Sequence, residues 1–255
     1  MASAPLVLLT IDTDVGRIAA RRLAARFPGL KIVVEERVSR LSLLRGRLKR
    51  LGLVRVSGQL AFMAFNRVLV RLSRKRIRDL IARFEMDDRW PEECELVLVP
   101  SVNAPECIAE LQRSAPTAVL VIGTRIISRA VLAAVAAPFI NYHAGITPKY
   151  RGIHGGYWAR VEADLENFGV TVHLVDPGVD TGAVIYQARL KPEACDNYAT
   201  FPYLQLSAGL PLLEQAAQDA LDGRLVSRPV NLPSCIWTHP TLWGYVYRGL
   251  LRGAW

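Results

Sequence analysis

The chain has 255 residues, of which 51% are hydrophobic and 22% charged. That length and composition suit one large domain with its own core and exclude a wholly disordered chain. The net charge is +9, and Cys94, Cys107, Cys195 and Cys235 are scattered without C-x-x-C spacing, which excludes a dense disulfide framework and a C-x-x-C zinc site and fits a reducing cytoplasm.

The opening "MASAPLVLLTIDTD" lacks a positively charged start and an A-x-A-like cleavage site, so it is expected to be a first β-strand rather than a signal peptide. In "DVGRIAARRLAARF" the apolar residues recur at helical spacing behind Asp14, which is placed to cap the helix. "KIVVEERV" is a second strand. A block of arginines and lysines follows, from Arg37 and Arg40 through Arg55, Arg67 and Arg71 to Arg83, and suggests an anionic partner: phosphate, nucleic acid or lipid headgroups. A solvated helix face is an equally common origin of such a block.

From Leu41 to Phe84 the pattern is helical, with Leu43, Leu44, Leu48 and Leu51 turned from the arginines and Gly52 and Gly58 as interruptions. Two amphipathic helices are expected over 41–84. They either pack on the sheet or lie on a membrane interface with Phe62, Met63 and Phe65 inserted; packing is preferred, because most such helices cover a sheet. Apolar stretches around Leu60 and Leu120 are broken by Arg55, Arg67 and Arg125 before the roughly 18 residues of a membrane span.

After the loop "EMDDRWPEE" come the strand "ELVLVPSV", the helix "PECIAELQRS", the strand "TAVLVIG", the helix "SRAVLAAVAA" and the strand "PFINYHAG". This rhythm predicts an α/β fold with a doubly wound, mostly parallel sheet. Ligands in such sheets gather outside the carboxyl ends of the strands, where "NYHAG" stands. Downstream, "GGYWARVEAD" is a helix, and "VTVHLVD" and "AVIYQARL" are strands joined by "PGVDTG" that pair antiparallel. "LSAGLPLLEQAAQDALDG" is a long helix closed by Gly223, and the aromatic, proline-interrupted tail reads as an embellishment. The expected division is a catalytic domain over 1–190, with 41–84 as a helical insertion, and a C-terminal helix and tail over 191–255 packed on it.

Residues two apart on a strand share a face, so Asn141 and His143 point the same way and Tyr142 the other. An amide can donate to a developing oxyanion while an imidazole exchanges protons near neutral pH. Alone, such a pair is more often structural.

The wider pattern adds to it: "NYHAGITPKYRG", then Gly169, Thr171 and His173, then Asp180, Gly182, Val184 and Gln187. In order and spacing these stretches resemble the formyltransferase family, closely from about Thr117 to Leu190. The resemblance implies a Rossmann-like formyltransferase fold and transfer of a formyl group from 10-formyltetrahydrofolate to an amine, with no metal. It implies that Asn141 polarises the formyl oxygen, that His143 handles protons, and that Asp180 orients His143 and helps to move the proton from the attacking nitrogen. A preorganised amide donor of this kind is worth about 2.7–4 kcal/mol, and a placed acid–base group about 10²–10⁴ in rate. The resemblance further implies folate contacts at Arg125, Ile126, Ile127, Asp176 and Val179, and acceptor contacts at Tyr150, Arg151 and His154. His173 is expected as a hydrogen-bonded residue beneath the site, and His239 as peripheral.

Departures from the family narrow the acceptor. Purine-pathway members carry a glycine-rich phosphate loop after the first strand, where this chain has "IDTDVGR", and Asp12 and Asp14 would repel a phosphate. Members acting on initiator tRNA add a C-terminal β-barrel, for which the stretch after Leu190 is short and helical. Hydrolases of the family add an N-terminal regulatory domain, for which there is no room before the first strand. The expected partner is therefore a small phosphate-bearing amine, an aminosugar linked to a nucleotide or a lipid, with nucleic acid disfavoured. Residues 41–84 would then meet its phosphates, a membrane at the cytoplasmic inner face, or a second copy in a homodimer. The alternatives are a hydrolase or another one-carbon donor on the same scaffold, and a non-catalytic protein binding anionic lipid or nucleic acid.

Overall fold

The computed structural model describes residues 6–37, 48–49 and 51–255. Arg40, Leu43, Leu44, Arg45, Arg47 and Arg50 of the basic block lie outside these, as do the first five residues.

Strands β1 (Leu6–Ile11), β2 (Lys31–Glu35), β3 (Leu96–Val99), β4 (Ala118–Ile122), β5 (Phe139–His143), β7 (Gly169–Leu174) and β8 (Val184–Arg189) form one sheet in the order β3-β2-β1-β4-β5-β7-β8. The first five run parallel, and β7 is antiparallel to both neighbours. Chain order reverses between β1 and β4, the kind of switch point at which ligands sit in open α/β sheets. Two residues each from β6 (Arg151–Gly152) and β9 (Ile236–Trp237) make a small parallel ribbon.

Alternation along the strands feeds two cores. Leu8, Ile32 and Leu120 pack with Leu23 of α1 (Asp14–Arg26) and with Leu210 and Leu213 of α7 (Phe201–Leu221). Val7, Val33 and Val119 pack on the other face with Cys107 and Leu111 of α4 (Pro105–Ser114). Buried on both faces, the central strands need the near-continuous Val/Leu/Ile runs that the sequence shows.

A third cluster is aromatic. It joins α2 (Leu53–Leu72), α3 (Arg74–Arg83), α6 (Gly155–Val161) and α8 (Leu242–Arg252) through Phe62, Leu80, Tyr157, Trp158, Tyr198 and Tyr245. The tail is thus a wall of this cluster rather than an embellishment: Tyr245 is fully buried, its ring centroid 4.9 Å from that of Phe62.

Local structure departs from expectation in three places, and Phe62 takes the preferred packing on protein. The α1 cap is Thr13, whose hydroxyl accepts from the Gly16 N–H, while Asp14 sits in the first turn. Gly58 does not interrupt α2; a Cβ there would lie 2.3 Å from the Trp243 ring, so glycine lets α8 approach. Phe62 is buried in the aromatic cluster, and of the three residues considered for insertion only Met63 is exposed. The helix expected in "SRAVLAAVAA" is the single turn α5 (Arg129–Leu132), capped by Ser128, after which the chain passes through a turn and bends to Pro138 and β5.

Candidate active site

Strand β5 turns Asn141 and His143 to one side and Tyr142 to the other, against α7. The antiparallel register with β7 sets Asn141 opposite His173 and His143 opposite Thr171. The loop after β7 then returns Asp180, at φ 49° in the left-handed region that aspartate tolerates better than most residues.

Each polar group here has a fixed partner. His143 Nε2 is 2.7 Å from the Tyr150 carbonyl, which makes it the N–H donor and leaves the Nδ1 lone pair 3.4 Å from Asp180 Oδ2. The same Oδ2 accepts from the Gly152 N–H at 2.8 Å, while Oδ1 is 3.6 Å from His173 Nε2. His173 Nδ1–H donates to the Leu174 carbonyl at 2.7 Å, so Nε2 accepts from the Asn141 amide at 3.0 Å. One Asn141 N–H is thereby held, and the second remains to donate into the cleft.

Burial pushes the His143 pKa down, against the upward pull of Asp180 and the Tyr150 carbonyl, so the ring is neutral near neutral pH. Burial also opposes ionisation of Asp180 but is outweighed, and the carboxyl is held at about 2. With both imidazoles presenting lone pairs to it at neutral pH, the Gly152 N–H at 2.8 Å is the donor that acts there, and the charge of His143 adds to it once that ring is protonated. The site therefore pairs a neutral imidazole with a firmly ionised carboxylate, which suits proton capture at Nδ1.

A cavity of ≈ 340 Å³ opens beside these groups. Asn141, His143 and Asp180 line it together with Arg125, Ile126, Ile127, Asp176 and Val179, so the two sets of residues singled out in the sequence share one cleft. Ile126, Ile127, Val121, Val175 and Val179 give it apolar walls. Arg125 is drawn to the rim by Glu35 at 2.8 Å and by the carbonyls of Glu36 and Pro100. Asp176 closes its own loop, accepting from Gly178 N–H at 2.9 Å and Thr181 Oγ1 at 2.6 Å.

The three residues expected at the acceptor are placed differently. Tyr150 is buried with its hydroxyl donating to Asp164, and meets the site only through its carbonyl. Arg151 donates to the Val179 carbonyl and ties β6 to the Asp180 loop. His154 packs away from the cleft against Tyr198 and His239, and burial pushes its pKa down to about 3. None of the three lines the cavity; Gly152 and Ile153 do.

Sequence reasoning missed what His173 grips and the part played by Glu35. Buried at the end of β2, Glu35 accepts from the N–H groups of Val102 and Arg125 and so fixes the loop that carries Ile126 and Ile127. A carboxylate closing an apolar strand was the available signal. Among the described residues, no group of three or more His, Cys, Asp or Glu side chains is placed to hold a metal ion.

Residues 85–200 match the family model described as formyl transferase. Over that stretch, 116 of its 255 residues, the chain is similar to the formyltransferase family. It is 29% identical over 125 residues to a methionyl-tRNA formyltransferase of Caldanaerobacter subterraneus subsp. tengcongensis, a match that takes in 49% of this chain and 40% of that protein. The chain thus spans less than half the length of such formyltransferases.

Solved structures share the fold at lower identity. A 4-N formyltransferase from Francisella tularensis superposes with a TM-score of 0.57 at 11% identity, over 92% of this chain and 76% of its own. An N-formyltransferase from Helicobacter canadensis, in complex with folinic acid and dTDP-3-aminofucose, superposes with a TM-score of 0.55 at 15% identity, over 91% and 70%.

Proposed function

We propose that this chain transfers a formyl group from 10-formyltetrahydrofolate to the primary amine of an aminosugar. The observation that carries this reading is the convergence of Asn141, His143 and Asp180 on one wall of a cleft whose other walls suit a pterin. Ile126, Ile127 and Val179 offer apolar faces, and the main chain between Gly123 and Ile127 offers donors and acceptors. The folate supplies the formyl group.

The residues then divide the work. The second N–H of Asn141 meets the carbonyl oxygen as negative charge gathers on it. His143 takes the proton of the attacking nitrogen at Nδ1, and the imidazolium so formed faces Asp180 at 3.4 Å. That proton would then pass to the folate amine as its bond to the formyl carbon breaks and tetrahydrofolate leaves. His173 keeps the amide in place throughout. The aminosugar acceptor is supported by the likeness in fold to the Helicobacter canadensis enzyme, which holds a dTDP-linked aminosugar. The match to a methionyl-tRNA formyltransferase supports initiator tRNA as the second reading.

The test is to incubate the 255-residue chain with 10-formyltetrahydrofolate and separate acceptors: nucleotide-linked and lipid-linked aminosugars, glycinamide ribonucleotide and methionyl-initiator tRNA. Formylation of an aminosugar is expected, with loss in Asn141→Ala and His143→Ala. Full rates in those variants would sink the mechanism, formylation of tRNA alone would change the acceptor, and folate release without any acceptor would make the protein a hydrolase.

A further inference from the structure

Away from the cleft, α2 and α8 lie side by side with their inner faces closed. Val56, Gln59 and Phe62 are buried on α2, and Tyr245 and Gly249 on α8. Their outer faces are the reverse of what water favours. Leu53, Leu60, Ala64 and Val68 form one stripe along α2, and Trp243, Tyr247 and Leu250 continue it on α8. All seven are exposed, Leu250 by 73%. Neither helix carries an acidic residue. A solvated helix alternates charges on its outer face; contiguous apolar surface across two packed helices marks an interaction site.

Charge says which kind. Residues 37–78 hold 13 arginines and lysines and no acid, which leaves the other 213 residues at −4. Arg67 and Arg71 lie at one end of the α2 stripe. At the other end a cavity of ≈ 430 Å³ is lined by Arg55, Arg248, Trp158, His239 and Trp243. Apolar side chains between clusters of arginine, with Trp and Tyr among them, match the layering of acyl chains beneath phosphates. A second copy of this chain would bring the same cations face to face.

We propose that the α2–α8 face docks on an anionic phospholipid bilayer, with Leu60, Val68, Trp243 and Leu250 entering the interface and Arg55, Arg67 and Arg71 meeting phosphates. Contrary to the expectation that Arg55 and Arg67 cut the stretch around Leu60 too short, α2 is long and apolar enough to cross a bilayer by length and composition alone. Its inner face is already packed on protein, so it lies in the plane of the membrane.

The experiment is cosedimentation of the 255-residue chain with phosphatidylcholine vesicles, with and without phosphatidylglycerol. No folate or acceptor is present, so the result is independent of the proposed reaction. Binding is expected only to the anionic vesicles and should weaken as salt is raised. Leu60→Ser combined with Leu250→Ser should lower partitioning roughly ten-fold or more. Arg67→Glu combined with Arg71→Glu should do the same. These positions are exposed, so melting curves should stay close to the parent's and report intact folding. No sedimentation with either vesicle, or binding untouched by both double variants, overturns the proposal. So does a lipid-free dimer, seen by light scattering, that Leu60→Ser dissolves, since a second copy would then own the face.

Discussion

Asn141 and His173 face each other across the β5–β7 pair, and the imidazole Nε2 lies 3.0 Å from the carboxamide nitrogen. The histidine holds one amide proton, which leaves the other for the cleft. Asn141→Ala is expected to lower kcat by about 10²–10³, the usual cost of one oxyanion donor. His173→Ala keeps the donor but frees it to rotate, so kcat should fall by less, with KM for folate little changed. Steady-state kinetics on both variants separate the donor from the residue that positions it.

The acid limb of the pH–rate profile should fall below the ordinary imidazole value of 6.5, because burial lowers the His143 pKa and only the neutral ring accepts a proton. Asp180 pulls that pKa upward. Asp180→Asn should therefore move the limb to still lower pH while kcat falls by about 10²–10⁴, as the imidazolium loses its counter-charge. A limb that stays in place would remove Asp180 from this role.

Asp180 also links stability to acid. Its folded pKa of about 2 lies below the ordinary 3.8, so its contribution is complete above 3.8 and is lost as pH falls through about 2. Melting temperatures recorded across that window should drop more steeply for the parent chain than for Asp180→Asn.

Gly145 lets the His143 ring reach the Tyr150 carbonyl. A Cβ there would lie 2.6 Å from that oxygen and 2.9 Å from His143 Nε2. Gly145→Ala should cost about 1–3 kcal/mol of stability by overpacking. It should also lower kcat, since the ring must shift. Denaturant titration and kinetics on one preparation measure both.

Glu35→Ala should cost about 1–3 kcal/mol, because it takes the acceptor from the Val102 and Arg125 N–H groups. Glu35→Gln keeps an acceptor and should cost less. Both should raise KM for folate by loosening the loop that carries Ile126 and Ile127.

The strand–helix alternation was legible because buried parallel strands need near-continuous apolar runs, and the central sheet follows them. The grouping of Asn141 and His143 was legible too, because side-chain period two is a local property. What Asn141 and His143 themselves touch was not. His173 meets Asn141 through cross-strand register, and Tyr150 contributes a carbonyl rather than a ring, which residue type does not reveal. Tyr150, Arg151 and His154 were expected at the acceptor from the family resemblance, and none of them lines the cleft. The turn into α6, where His154 sits at φ 61°, carries its ring away from the cleft. Packing of the tail was hidden because aromatic clusters have no period.

Tyr142, between the two polar residues of β5, presses on Gly209 of α7, where a Cβ would lie 2.1 Å from its ring. The back of the strand that carries amide and imidazole is therefore braced by a helix encoded much later in the chain. A fragment halted before Phe201 would keep every letter of the motif and lose its posture, as the back of the strand would be bare to water. Grafting or trimming experiments that treat the last third as dispensable should yield a soluble-looking signature with nothing to brace it.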